Sequence, residues 1–215
     1  MFKYILTPFL VFVFFSSLGQ TTNNILSTKT YRAGLYMSFL EFRTNSPSIV
    51  TEVYPIPEEG GKEMEKDDPY TWFYKNKRGK EKPISNNVWG FCTGKEIYFL
   101  KKGFPTYYYL PMVFVGRYCY AVDDLNVFKR IFSALNETTE STDIKDYRAS
   151  NTYDYLININ NGEEFILSEK VLVTIIKDDP ALYEKYQADP DGMEKRIEYI
   201  LNYNRKHQDQ IKDIK

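Results

Sequence analysis

Val88–Leu100 reads VWGFCTGKEIYFL. Two runs rich in aromatic and β-branched residues, Val88–Cys92 and Glu96–Leu100, flank Thr93-Gly94-Lys95, where glycine supplies the positive φ that a tight reversal needs. That pattern predicts a β-hairpin. A second is expected downstream: Tyr153, Tyr155, Ile157 and Ile159 alternate with Asp154, Asn158 and Asn160, and Asn161-Gly162 turns the chain back into Glu163–Leu167. Between them, Thr106–Val115 and Val115–Val122 are apolar and aromatic strands, with Gly116 expected as a bulge or bend. Upstream, Ser48–Tyr54 and Tyr70–Lys75 read as strands, and Lys77-Arg78-Gly79-Lys80 as a turn. Connections this short join antiparallel strands, because a parallel crossover needs a dozen or more residues.

Helical signals surround the strands. Ser38 and Glu41 have capping-box spacing, and Asn45-Ser46-Pro47 stops the chain soon after, so Phe39–Thr44 is expected to be one short turn of helix. Leu125, Phe128, Ile131, Phe132 and Leu135 have helical spacing behind Asp123 or Asp124 as cap. Ser168 caps a helix over Glu169–Lys177, and Asp179-Pro180 starts another. A third is expected from Asp189–Asp191, with Met193, Ile197, Ile200 and Leu201 as its apolar stripe. Glu58–Asp68 and Asn136–Asp146 are charged or polar and read as loops. The fold class is therefore α+β: a single domain, mainly antiparallel sheet or open barrel over residues 31–167, with C-terminal helices over 168–205 and a polar tail over 206–215.

The N-terminus has its own logic. Lys3 precedes an apolar run from Tyr4 to Phe15, which ends in Ser16-Ser17-Leu18-Gly19-Gln20. A cationic start, a short apolar stretch and small residues before a cut are the parts of a secretory signal peptide. Residues 1–19 are expected to be that signal and the mature chain, 20–215, to begin at Gln20. The run is shorter than the roughly 20 apolar residues that cross a bilayer. No cysteine stands near the cut to carry a lipid, and Val113–Val122 is interrupted by Gly116 and Arg117, so no transmembrane segment is expected after signal removal. The periplasm is the default address, with secretion or surface attachment as alternatives.

Composition removes several classes of function. Without Lys3 the chain carries 27 Lys and Arg against 29 Asp and Glu, a balance of −2 that does not draw nucleic acid or anionic lipid. The single histidine, His207, stands in a polar stretch and is expected to be solvated; imidazole-based triads and His-rich zinc sites have little to build on. Cys92 and Cys119 form no CxxC pair. Both lie in expected strands that could be neighbours, and an oxidising compartment would let them bond. Two buried free thiols are the equal alternative, since cysteine is also a favoured core residue.

Aspartate pairs such as Asp123-Asp124, Asp178-Asp179 and Asp189-Pro190-Asp191 stand where helices are expected to start, and capping accounts for them better than acid–base chemistry. Gly60-Gly61-Lys62 and Lys77–Lys80 lack phosphate-loop spacing and read as turns. No catalytic residue, metal ligand or cofactor motif stands out. The oddity is tyrosine, 19 residues, which directs attention to Tyr107-Tyr108-Tyr109: three consecutive strand residues must occupy both faces, so at least one is exposed and able to stack on a ligand. Trp72 and Trp89 read as core.

Four stretches together carry a resemblance: GLYMSFLEFRTNSPSI (Gly34–Ile49), VWGFCTGKEIYFL (Val88–Leu100), VGRYCY (Val115–Tyr120) and KDDPALYEKYQADP (Lys177–Pro190). They resemble a family of uncharacterised exported proteins of Bacteroidetes-type bacteria. Members often carry WGFxDG where this chain has Thr93, so that position is not an obligatory carboxylate. The resemblance implies a Gram-negative envelope and transfers no activity. The expected function is a non-catalytic envelope protein that binds a peptide, glycan or protein partner through its β surface. The alternatives are a hydrolase whose carboxylates meet only in the fold, and a structural accessory subunit of an envelope complex.

Overall fold

The computed structural model describes residues 24–28, 30–56, 71–102, 107–123 and 153–207. The expected signal peptide, the Leu125–Leu135 helix and the two loops at Glu58–Asp68 and Asn136–Asp146 lie outside the described residues.

Both hairpins form where glycine permits them. Gly94 (φ 95°) reverses the chain between β5 (Gly90–Cys92) and β6 (Ile97–Lys102), and Gly162 (φ 76°) between β9 (Asp154–Asn158) and β10 (Glu164–Ile166). With β1 (Gly34–Tyr36), β7 (Tyr107–Phe114) and β8 (Tyr118–Val122) they form one antiparallel sheet in the order β1-β5-β6-β7-β8-β9-β10. A second sheet holds β2 (Val53–Pro55), β3 (Trp72–Lys75) and β4 (Glu81–Pro83). The strand expected over Ser48–Tyr54 is shorter, because Ile49 instead makes a single bridge to Leu35. Gly116 lies in the expected bend between β7 and β8, and a further register shift falls earlier, between Met112 and Phe114.

The large sheet is curled, and side-chain chemistry shows it. Lys101 on β6 and Glu164 on β10 stand four strands apart, about 19 Å in a flat sheet. Yet their charged groups meet at 2.9 Å. The period-2 alternation then sorts residues between an inner and an outer face. Tyr36, Cys92, Ile97, Phe99, Leu110, Met112, Cys119, Tyr155 and Ile157, drawn from β1 through β9, converge on one inner core. Their neighbours point outward. Tyr98 and Phe91 pack under the small sheet with Trp72 and Val53, and Tyr120, Val122 and Leu156 pack under the C-terminal helices. The sheet does not close, since β1 and β10 are not paired. A short helix, α1 (Phe39–Arg43), bridges the gap: Arg43 Nη1 donates to Asn160 O at 2.9 Å, and Gly162 lies so close to the Phe39 ring that a Cβ there would clash.

Three C-terminal helices cover the outer face over β8 and β9: α2 (Glu169–Ile176), α3 (Pro180–Ala188) and α4 (Arg196–Lys206). Ser168 and Asp179 cap the first two as their side-chain chemistry requires, accepting from Val171 N–H and Leu182 N–H. Leu172, Ile176 and Ile200 are fully buried, and each contributes about 2 kcal/mol by leaving water. The third helix starts later than expected. Asp189 does not cap it; its carboxylate takes the Lys195 ammonium at 2.8 Å and the Asp191 N–H at 3.0 Å, and helix begins only at Arg196. Asp154 of β9 (3% exposed) binds α4 to the sheet: it accepts from Arg196 Nε at 2.7 Å and from the Tyr120 hydroxyl at 2.6 Å. His207 is not solvated. Its ring lies 4.3 Å from that of Tyr203 and faces Asp179 at 3.5 Å, with 13% of the side chain exposed.

Candidate functional site

The unclosed sheet leaves a seam between β10 and the segment that leads into β5. A cleft of about 310 Å³ lies there. Trp89, Leu100 and Met37 supply its apolar lining, Lys102 and Glu164 its charges, and Asn86 and Asn87 its neutral polar groups. This mixture suits a ligand that is partly apolar and partly hydrogen-bonding.

Each wall is held by chemistry legible locally. The indole of Trp89 stacks on Phe42 (ring centroids 4.9 Å, 28°) and meets Phe39 edge-on at 5.6 Å. Both phenylalanines sit on α1, whose first turn is closed by Ser38 Oγ accepting from Glu41 N–H at 3.3 Å. The Glu41 carboxylate reaches back past the cap to Met37 N–H (2.8 Å) and forward to Ser48 N–H (3.0 Å), which fixes Met37 at the cleft. Ser85–Val88 is pinned from beneath by Tyr109, whose hydroxyl lies 3.0 Å from Ser85 O and 2.9 Å from Val88 O. Ser85 Oγ donates to Asn87 Oδ1. On the far wall, Lys101 pairs with Glu164 and lies 4.6 Å from the centre of the Tyr155 ring. Burial, with the neighbouring Tyr108, raises the Tyr155 phenol well above its ordinary pKa, so it is un-ionised at neutral pH. Among the described residues Lys102 has no carboxylate partner.

The tyrosine triplet divides into three roles. Tyr107 is 47% exposed and pairs with Lys102 at the rim. Tyr108 pairs with Lys101 and packs against the inner core. Tyr109 faces the small-sheet core and holds the Ser85–Val88 segment. Burial raises its phenol too. Trp89, expected in the core, is instead half-buried at the cleft. Nothing in the sequence marks Lys102 or Glu164, or Trp89 as more than a core residue. The available signal was weak: two asparagines, Asn86 and Asn87, one residue short of a tryptophan at a strand's start, a place where a flat aromatic ring can face an opening.

A second cleft, about 410 Å³, lies between α2, α3 and residues 189–193. It brings Glu169 and Asp189 together with Tyr183, Gln187 and Met193. Hydrogen bonding by Lys195, helped by Asp191 N–H and the Tyr199 hydroxyl, holds Asp189 below the usual carboxylate range. Glu169 accepts from the Tyr186 hydroxyl at 3.2 Å. Elsewhere Asp123 accepts from Tyr153 N–H, and Asp179 caps α3. Burial opposes ionisation of Asp179, but Lys206 and Leu182 N–H outweigh it and its pKa is lowered. Among the described residues no three His, Cys, Asp or Glu side chains group as a metal site, and no helix is long and apolar enough to cross a membrane.

Cys92 and Cys119 are both free and buried. They are not on neighbouring strands: β6 and β7 run between β5 and β8. Burial pushes the Cys92 thiol up to about 11 and the Cys119 thiol up to about 12, so neither is a thiolate near neutrality.

No curated protein and no solved structure matches the chain. One family profile does, from Gly34 at the start of β1 through α4 to residue 210. The chain belongs to a family of unknown function, DUF6563, over residues 34–210.

Proposed function

We propose that this chain is an exported, non-catalytic binding protein of a bacterial envelope, and that the seam holds its partner, a peptide, a glycan or a protein segment. The observation that carries this reading is the makeup of the seam. An aromatic ring already stacked on one side, a lysine with no carboxylate partner among the described residues and two carboxamides meet in a shallow opening, an arrangement suited to recognition. The tyrosine at its rim, Tyr107, extends the aromatic surface. Export rests on the sequence of residues 1–19, and a Bacteroidetes-type Gram-negative host, with the periplasm as address, on the four stretches that resemble such proteins. Intact mass of protein recovered from the periplasm should show loss of the first nineteen residues; full-length chain in the membrane fraction would contradict export.

The binding reading is tested by probing the exported chain against glycan and peptide arrays, beside Trp89→Ala and Lys102→Glu. Saturable binding lost in both variants supports it. Binding that both variants retain places the site elsewhere, and Lys102, exposed on its strand, can be changed without disturbing the core. The hydrolase reading has one observation in its favour, the Glu169 and Asp189 carboxylates in the second cleft. Asp189 is fully engaged by Lys195 and Tyr199, which suits bracing the start of α4 better than attacking a substrate.

A further inference from the structure

We propose that the partner in the seam is an extended peptide, added as an extra strand along the free edge of β10, with an acidic side chain set against Lys102. The inference rests on the seam being the binding site and names what fills it.

The hydrogen-bond register of β10 decides the matter. Asn158 N–H donates to Glu163 O and Leu167 N–H to Asp154 O, so residues 163, 165 and 167 turn their backbone groups toward β9. In an antiparallel pair the alternate residues face away. The N–H and C=O of Glu164 and of Ile166 therefore point out from the last strand of the sheet. Among the described residues nothing bonds to them. Two donors and two acceptors, spaced two residues apart along a strand, match the backbone of another extended chain and no other common ligand.

Among the described residues each of the other edges is interrupted. On β1 the outward N–H of Leu35 donates to Ile49 O at 2.9 Å, and a Cβ on Gly34 would strike that same carbonyl. On β2 the outward position beside the Ile56–Thr71 bond is Pro55, which has no N–H. On β4 the Asn76–Lys80 and Ile84–Trp72 bonds leave Glu81 and Pro83 facing out, a charge and a second proline. Among the described residues only β10 offers an unblocked ladder, and it does so beside the cleft, to which Glu164 contributes. Ile166, opposite Tyr155, is 52% exposed on that strand. An added strand alternates its side chains, so one set can face Trp89 and Leu100. The charges favour an acidic partner: Glu164 is satisfied by Lys101, which leaves Lys102 without a carboxylate partner among the described residues.

The test uses a displayed library of random decapeptides, panned on the exported chain, with the strongest peptide then synthesised. Ile166→Pro removes an outward N–H and leaves the β9 pairing intact, and thermal melting checks that it folds. The proposal expects enrichment of peptides with an acidic residue and at least tenfold weaker binding to Ile166→Pro and to Lys102→Glu. It also expects at least tenfold slower amide exchange at Glu164 and Ile166 in the complex. N-methylation of the peptide at one alternate set of residues should abolish binding, while the other set is tolerated; this arm decides the question on unaltered protein if the proline variant does not fold. Peptides that bind regardless of N-methylation would overturn strand addition and leave the seam as the site. Glycan binding lost in Lys102→Glu, with no peptide enriched, would overturn the peptide and keep the seam. With neither class bound, both readings fall.

Discussion

Removing the guanidinium of Arg196 should cost this protein more than almost any other single change at a polar site. Asp154 and Arg196 are 3% and 9% exposed, and Arg196 meets the carboxylate through both Nε and Nη2. Arg196→Ala leaves the aspartate in a site almost withdrawn from water. Breaking one side of such a pair costs about 3–5 kcal/mol. The Tyr120 hydroxyl remains on Oδ1 and moderates the loss, so the lower end applies, about 3 kcal/mol. For a domain of this size that is about 6–12 °C in melting temperature. Urea unfolding should show the midpoint lowered with the slope unchanged. The triple variant Asp154→Leu, Tyr120→Phe, Arg196→Met removes the buried charge altogether and should recover more than half of the loss. A cost below about 1 kcal/mol for Arg196→Ala would refute the view that this group anchors α4 to β9.

Thiol counting should give no reactive group in the native protein at pH 8, because burial keeps Cys92 and Cys119 protonated, and two after unfolding without reductant; zero would establish a bridge between β5 and β8. Thermal stability should fall at both ends of the pH range. Asp179 and Asp189, whose pKa values are lowered by folding, contribute stability present above their unfolded value of about 4 and lost as pH falls through their folded values. The thiols, raised by folding, contribute stability present below their unfolded pKa of about 8.5, lost as pH climbs toward 11 and 12. Scanning calorimetry between pH 3 and pH 11 checks both arms, and a profile flat below pH 4 would contradict the first. Truncation after Asn204, which the polar composition of the tail makes look harmless, should lower the melting temperature by about 4 °C or more, since it removes the His207 ring from Tyr203 and Lys206 from Asp179. Gly116→Ala should destabilise by about 1–3 kcal/mol in a urea titration, because its Cβ would displace the Asn204 amide that bonds both Tyr118 N–H and Tyr118 O.

What could be read in the chain beforehand follows the range of the forces involved. Gly94 and Gly162 mark their hairpins because a positive φ is a local demand. Ser38, Ser168 and Asp179 mark helix starts because a cap bonds within three residues. Alternation along β9 put Tyr155, Ile157 and Ile159 on one face, the face that meets the inner core, before any partner was known. Asp189 misled because an aspartate before a helix resembles a cap until Lys195, six residues on, takes its carboxylate. His207 looked solvated because Asp179 comes into reach only when α4 packs beside the start of α3, although Tyr203, one turn earlier on α4 itself, was already within local reach. The seam was invisible for the same reason. It exists because β10 curls round to face the approach to β5, and nothing near Trp89 or Glu164 in the chain encodes that meeting. Tyr107–Tyr109 stood out through composition alone, and of the three only Tyr107 is exposed.

The seam reading has a direct spectroscopic test, because the chain has two tryptophans and they lie in different places. Trp72 is buried under the small sheet, and Trp89 lines the cleft. Protein labelled with 5-fluorotryptophan should give two fluorine resonances, assigned by Trp72→Phe and Trp89→Phe. Titration with the peptides or glycans selected on the arrays should move the Trp89 resonance saturably and leave that of Trp72 in place. A bound ligand that leaves Trp89 unmoved, or that shifts Trp72 alone, would contradict the seam as the binding site.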